Sequence, residues 1–160
     1  MTATKTQREV SPPFGKPPQA RTVEELLRAG MVVVDKPQGP TSHQVSAWVR
    51  DLLGVEKAAH GGTLDPRVTG VLPIALGRAV RVLDALHVSD KEYIGVLRLH
   101  QDVPPAKVSK VFGEFVGEIY QTPPLRAAVK RVLRVRRIHE LKVLDREARD
   151  YLFRVRCEAG

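Results

Sequence analysis

The spacing of hydrophobic and polar residues in the first third of the chain predicts two helices and one strand. Residues 22–25, Thr-Val-Glu-Glu, match a capping box that opens a helix, and Gly30 closes that helix. Residues 31–34 form a run rich in β-branched side chains, which is typical of a buried strand. Thr41 or Ser42 can cap the second helix. We expect its apolar face to consist of Val45, Trp48, Val49, Leu52 and Leu53.

Later segments mix helices and strands without a β-α-β rhythm. Residues 58–67 are predicted to form a loop, because glycine and proline interrupt the apolar pattern. Further elements are predicted as strands at 71–76, 92–99, 115–120, 129–135, 138–144 and 151–156, and as helices at 78–86 and 104–112. This order predicts an α+β fold with a mixed, largely antiparallel sheet flanked by helices.

Length and composition fit a single globular domain preceded by an arm. The chain has 160 residues, of which 42% are hydrophobic, and this is enough for one core. Residues 1–20 contain two proline pairs and no apolar periodicity, so we expect a flexible arm there and a folded domain over 21–160. One cysteine and five scattered histidines predict no disulfide framework and no metal site. Because no signal peptide or membrane span is recognisable, the expected compartment is the cytoplasm.

Positive charge is concentrated in the last part of the sequence. The net charge is +8, and residues 126–156 contain eleven Lys and Arg against four Asp and Glu. A basic segment attracts a polyanion such as RNA by releasing its counterions. The alternative is a solvated face of long basic side chains with no partner.

Residues 60–70, His-Gly-Gly-Thr-Leu-Asp-Pro-Arg-Val-Thr-Gly, form the most unusual stretch. Gly61 and Gly62 allow close approach of a ligand or a positive φ, and Pro66 favours an extended Asp65. Arg67 is near enough in sequence to counter the carboxylate charge. A carboxylate on such a loop suits a nucleophile presented to a large substrate. The alternative is ordinary turn chemistry at an Asp-Pro pair.

Three ordered segments carry a resemblance to a known family. Residues 60–76, HGGTLDPRVTGVLPIAL, resemble the catalytic motif of the TruB/dyskerin family of RNA pseudouridine synthases. Residues 32–45, VVVDKPQGPTSHQV, resemble its first motif, and residues 91–93 resemble the segment with its active-site tyrosine. With residues 120–131, YQTPPLRAAVKR, the chain is most similar to the archaeal and eukaryotic dyskerin-like branch.

The resemblance implies a pseudouridine synthase fold and a role for several residues. Asp65 is the expected nucleophile, which attacks the target uridine or its ribose before the base detaches, turns and rejoins the sugar through carbon. Tyr93 is expected to stack on the flipped base, and His43 to lie near the flipped nucleotide. A structural role is expected for Lys36, Pro37, Gly61, Gly62 and Pro66. The chemistry requires neither a metal nor an organic cofactor.

The partners implied by the resemblance are RNAs and small proteins. The substrates are tRNA, with its T-loop uridine, and rRNA, the latter as catalytic subunit of a box H/ACA particle with a guide RNA and small core proteins. Candidate phosphate contacts are Arg67, Arg126, Lys130, Arg131, Arg134, Arg136 and Arg137. Because side chains alternate along a strand, we do not expect all of them to reach RNA.

Two alternatives to an active synthase follow from the same residues. The family's catalytic domain continues into a segment with an arginine that pairs with the aspartate, and a PUA domain follows. The resemblance therefore predicts a partial catalytic domain without a PUA domain. A fragment that binds RNA or partners without catalysis is the second hypothesis. A hydrolase with paired carboxylates is the third, and Asp35 or Glu92 would have to supply the second acid.

Overall fold

A computed structural model describes residues 16–123, 125 and 131–159. The chain divides into two compact units, one ending at Leu83 and the other beginning at Asp84. No helix in the described ranges is long and apolar enough to cross a bilayer. Most of the predicted arm lies outside these ranges. Its described end contains a 3₁₀ turn at Pro18–Ala20, and Lys16 contacts Glu25 at 2.9 Å.

The first unit is a three-stranded antiparallel sheet with helices packed on it. Its elements are α1 (Val23–Ala29), β1 (Met31–Lys36), α2 (Ser42–Leu53), β2 (Ala58–His60), β3 (Gly70–Leu76) and a 3₁₀ segment (Gly77–Val82). The strand order is β1-β3-β2. Val45 of α2 packs with Leu72, Ile74 and Leu76 of β3 to form the core.

Pro73 lies in the central strand of this sheet, where a proline is unusual. Its carbonyl accepts a hydrogen bond of 2.8 Å from the Gly61 amide, just beyond the end of β2. The nitrogen and carbonyl of one strand residue point to the same side of the strand. The missing N–H of Pro73 therefore faces the end of β2, where the ladder has already stopped.

The second unit is a four-stranded antiparallel sheet. Its elements are β4 (Lys91–Arg98), α4 (Pro105–Glu114), β5 (Gly117–Gln121), β6 (Arg134–Glu147) and β7 (Asp150–Cys157), and α3 (Leu83–His87) precedes them. The strand order is β4-β7-β6-β5. Phe112 of α4 contacts Phe153 of β7 edge to face at 5.9 Å. A side chain at Gly95 would lie 2.8 Å from the Phe153 ring, so glycine makes room for this contact.

The predicted fold class and several elements are confirmed. Both sheets are antiparallel and carry helices, which gives the predicted α+β class. Thr22 caps α1 with Glu25 in a complete capping box, and Thr41 caps α2 in the same way with Gln44. The strand predicted at 92–99 and the helix predicted at 104–112 correspond to β4 and α4.

Two predictions of burial were wrong. Trp48 and Leu52 were assigned to the apolar face of α2, but their exposed fractions are 57% and 85%. The covered stripe of the helix contains Val45, and Val49 and Leu53 pack against the same core. Residues 31–34 were expected to form a buried strand, whereas alternate residues of β1 are exposed.

Several predicted boundaries were also wrong. The loop predicted at 58–67 begins with β2, and the helix predicted at 78–86 is a 3₁₀ segment followed by the short α3. The strands predicted at 129–135 and 138–144 are represented by the single strand β6, which pairs with β5 in one register and with β7 through two register shifts. Residues 126–130 lie outside the described part of the chain.

Candidate active site

Asp65 begins a tight turn between β2 and β3. The Val68 amide donates a hydrogen bond of 3.0 Å to the Asp65 carbonyl, and Pro66 occupies the second position of this turn. Proline is favoured there because its fixed φ matches the turn geometry. The Asp65 side chain is exposed, so its carboxylate is presented to solvent on a short, constrained segment.

Two groups from the end of β1 and the segment that follows it hold this turn. The Gly39 amide donates to the Pro66 carbonyl at 2.7 Å. The Lys36 ammonium donates to the carbonyls of Pro37 and Val68, each at 2.9 Å. Lys36 is completely buried, so its charge is stabilised by these carbonyl dipoles and not by water.

Ser42 is a third group that holds the turn, and it contacts the residue before Asp65. The Leu64 amide donates to the Ser42 hydroxyl oxygen at 2.8 Å, and the same hydroxyl donates to the Leu64 carbonyl at 3.1 Å. Because Ser42 is the first residue of α2, these two hydrogen bonds connect the start of the helix directly to the turn. The predicted structural role of Lys36 is consistent with these contacts, while Pro37 is exposed and contributes its carbonyl.

The glycines that adopt positive φ are not the adjacent pair singled out from the sequence. Neither Gly61 nor Gly62 has a positive φ, whereas Gly39 has φ 118° and Gly70 has φ 142°. Gly61 is buried and bonds to Pro73. A Cβ at Gly62 would meet no atom within 4 Å, so the space beside Gly62 is open for close approach by a ligand.

Two histidines lie beside the turn. His43 is exposed and follows Ser42 in α2, so it stands at the helix end that contacts the turn. His60 ends β2, five residues before Asp65, and its buried Nδ1 has no hydrogen-bond partner among the described residues. Sequence reasoning did not select His60, although its position next to the glycine pair was the available signal.

Arg67 is exposed and forms no ion pair with Asp65 in the described part of the chain. No group of three or more His, Cys, Asp or Glu side chains suited to a metal ion occurs among the described residues.

Tyr93 lies on β4, in the second unit. Its side chain is 47% exposed. Burial of the remainder raises the pKa of the phenol, and the nearby Cys157 raises it further. The ring is therefore neutral at physiological pH, which suits stacking on an uncharged base.

The arginines of β6 alternate between the two faces of the second sheet. Arg134 and Arg136 are half-buried, whereas Arg137 is exposed on the opposite face and donates to Glu118 at 2.8 Å. Arg131 is exposed, ahead of the strand. Arg126 and Lys130 lie outside the described residues.

Two family models match most of the chain between them. Residues 50–106 match the TruB family pseudouridylate synthase (N terminal domain), and residues 1–46 match the DKCLD domain. A curated relative from Methanocaldococcus jannaschii, a probable tRNA pseudouridine synthase B, is 54% identical over 147 residues, which are 92% of this chain and 44% of the relative.

Solved structures with the same fold agree with these matches. The crystal structure of a Cbf5-Nop10-Gar1 complex contains a chain with TM-score 0.88 and 52% identity, over 97% of this chain and 47% of that one. An H/ACA RNP bound to a substrate RNA containing 2′-deoxyuridine contains another, with TM-score 0.83 and 48% identity, over 97% and 46%. The chain thus spans about half the length of the proteins that it matches. These matches show that the chain belongs to the TruB/dyskerin family of RNA pseudouridine synthases.

Proposed function

We propose that this chain carries the nucleophile of an RNA pseudouridine synthase and that Asp65 is that nucleophile. The observation that supports the role of Asp65 is its exposed side chain on a turn held by four backbone or side-chain contacts. Such a carboxylate needs little reorganisation before it meets a substrate, and this lowers the entropic part of the barrier.

The reaction is an isomerisation without net oxidation. Asp65 attacks the target uridine at the base or at the ribose, and the bond between the base nitrogen and the ribose breaks. The base turns while it remains in the site, and a carbon of the base forms the new bond to the ribose. That carbon loses its proton, the nitrogen gains one, and the aspartate is released, so no cofactor is required.

A uridine in folded RNA must leave its stack to reach Asp65. We propose that Tyr93 stacks on the flipped base, a contact that typically contributes about 1–3 kcal/mol per base. His43 is proposed to contact the flipped nucleotide, since it is exposed at the helix end beside the turn. Gly62 leaves open space through which the nucleotide backbone can approach.

The proposed substrates are the T-loop uridine of tRNA and uridines of rRNA. The relatives named as probable tRNA pseudouridine synthases support the first. The similar chains in an H/ACA RNP and in a complex with Nop10 and Gar1 support the second, with a guide RNA and small core proteins as partners. The cytoplasm remains the proposed compartment of this chain, because tRNA and rRNA are its proposed substrates.

Exposed arginines are the proposed phosphate contacts. Arg67 and Arg131 are exposed, whereas Arg137 would have to leave Glu118 to bind a phosphate. We expect Arg131→Ala to remove one phosphate contact and so to reduce the slope of the logarithm of RNA affinity against the logarithm of salt concentration by about one unit. Arg28→Ala, which removes an exposed arginine from α1, is the matched control.

The test is pseudouridine formation in a tRNA transcript, with and without a guide particle. Asp65→Asn should abolish product while RNA affinity stays within about twofold, because the carboxylate reacts and does not anchor the RNA. Asp84→Asn removes another exposed carboxylate, from α3, and should leave activity unchanged. A tenfold loss of RNA affinity in Asp65→Asn would contradict this division of roles.

An RNA-binding module without catalysis is the second candidate, and the basic residues of β6 favour it. RNA binding by the parent chain without product, under both conditions, would support this candidate. The hydrolase hypothesis requires a second acid, and Asp35→Asn is its test. If Asp35→Asn still forms pseudouridine, Asp35 and Asp65 do not act together as a catalytic pair.

A further inference from the structure

We propose that Ser42 is a positioning residue that holds the backbone of the nucleophile turn in its reactive geometry. The proposal rests on the proposed function, because the geometry matters through Asp65. Ser42 is outside the segment that carries the nucleophile, and 22 residues separate it from Leu64.

The Ser42 hydroxyl forms two hydrogen bonds with the backbone of Leu64. One hydroxyl accepts the Leu64 amide at 2.8 Å and donates to the Leu64 carbonyl at 3.1 Å, so it satisfies both polar groups of the residue that precedes Asp65. Ser42 is only 2% exposed. Water therefore has little access to replace the hydroxyl, and its removal leaves two backbone groups without this partner.

The other contacts act on different parts of the turn. The Gly39 amide bonds to Pro66 and the Lys36 ammonium to Val68, both after the nucleophile. Of these three groups, only Ser42 contacts the residue that precedes Asp65. Without Ser42 the turn would keep its C-terminal anchors and pivot about them, and this would move the Asp65 carboxylate relative to a bound nucleotide.

Ser46 offers a matched control on the same helix. It is also buried, and its hydroxyl donates to the Ser42 carbonyl at 3.0 Å, one turn earlier in α2. Ser46→Ala and Ser42→Ala each remove one buried hydroxyl from α2. Only Ser42→Ala removes a contact with the turn.

The experiment measures kcat and KM for pseudouridine formation in the full chain, together with hydrogen exchange of backbone amides. Misplacing a reacting group by about 1 Å costs on the order of 100-fold in rate. We expect Ser42→Ala to lower kcat about 10- to 100-fold with KM within about threefold, and Ser46→Ala to leave both within about twofold. The Leu64 amide should exchange faster in Ser42→Ala only.

Equal kcat in Ser42→Ala and in the parent would overturn the proposal, and so would equal losses in both variants. If Ser42→Ala does not fold, Ser42→Cys provides the same comparison, because the slightly larger thiol fills the same position and hydrogen-bonds more weakly. An inactive parent would count against the proposed function on this chain. The exchange rate of the Leu64 amide would still decide whether Ser42 holds the turn.

Discussion

Gly39 and Gly62 provide a test that separates the stability of the turn from its access to substrate. Gly39 has φ 118°, and a Cβ there would meet no atom within 4 Å. Gly62 has equally open space but no positive φ. Alanine at Gly39 therefore introduces backbone strain without a clash, and alanine at Gly62 introduces neither.

The magnitude follows from two opposing terms. A non-glycine residue held at such a φ costs about 1–3 kcal/mol. Alanine also lowers the conformational entropy of the unfolded chain, which stabilises the folded state by about 0.4–1 kcal/mol. We expect Gly39→Ala to lower the free energy of unfolding by about 1–2 kcal/mol. In a unit of roughly 80 residues, each kcal/mol shifts the Tm by about 4–8 °C.

Gly62→Ala should leave the Tm unchanged or raise it slightly, because only the unfolded-state term applies. Its effect should appear in catalysis, since a methyl group would occupy the open space beside the turn. Thermal unfolding followed by circular dichroism gives the first quantity, and pseudouridine formation in a tRNA transcript gives the second. An unchanged Tm in Gly39→Ala would refute the strain expected from its positive φ, and a Tm lowered as much by Gly62→Ala would refute the open, unstrained position of Gly62.

Three further predictions concern other parts of the molecule. Tyr93→Ala should weaken RNA binding about 5- to 150-fold, the equivalent of one stacked base, whereas Tyr93→Phe should bind within about twofold. A filter-binding titration compares the two. Arg98 bonds to Asp150 and lowers the pKa of that carboxyl below its usual 3.8. The pair therefore stabilises the fold above pH 3.8 and loses this contribution as the pH falls through the lowered pKa. In unfolding titrations, the free energy of unfolding of Arg98→Ala should therefore fall less steeply with decreasing pH than that of the parent. Leu52→Ser should change stability by less than about 0.5 kcal/mol, whereas Leu72→Ala should cost about 2–5 kcal/mol in urea unfolding.

Local hydrogen-bonding signals in the sequence predicted the structure well. The capping box at Thr22 was predicted because both partners lie within one turn of helix, and Thr41 was one of the two cap residues predicted for α2. The exposure of Trp48 and Leu52 could not be predicted from the sequence. Helical periodicity identifies an apolar stripe, but the width that is covered depends on the size of the sheet beneath it.

The long strand β6 was missed for a different reason. Arg136 and Arg137 indicated a polar turn, yet both lie within the strand. Arg137 bonds to Glu118, directly opposite it on β5, and Arg136 lies 3.8 Å from Glu158. Acidic partners on other segments neutralise these arginines within the strand. Because the partners are distant in the chain, a single sequence does not reveal these ion pairs.

The candidate site combines both situations. Asp65 was identified from its motif, but one of the two glycines that adopt positive φ near it, Gly39, belongs to the other motif. Its conformation serves a hydrogen bond to Pro66, across a gap of 27 positions in the chain. The contacts of Lys36 and Ser42 span similar gaps. The two sequence motifs are therefore one physical unit, in which residues 36–42 hold residues 64–68. For this reason a substitution in the first motif should be judged by its effect on the position of the Asp65 carboxylate, and not only by its effect on folding.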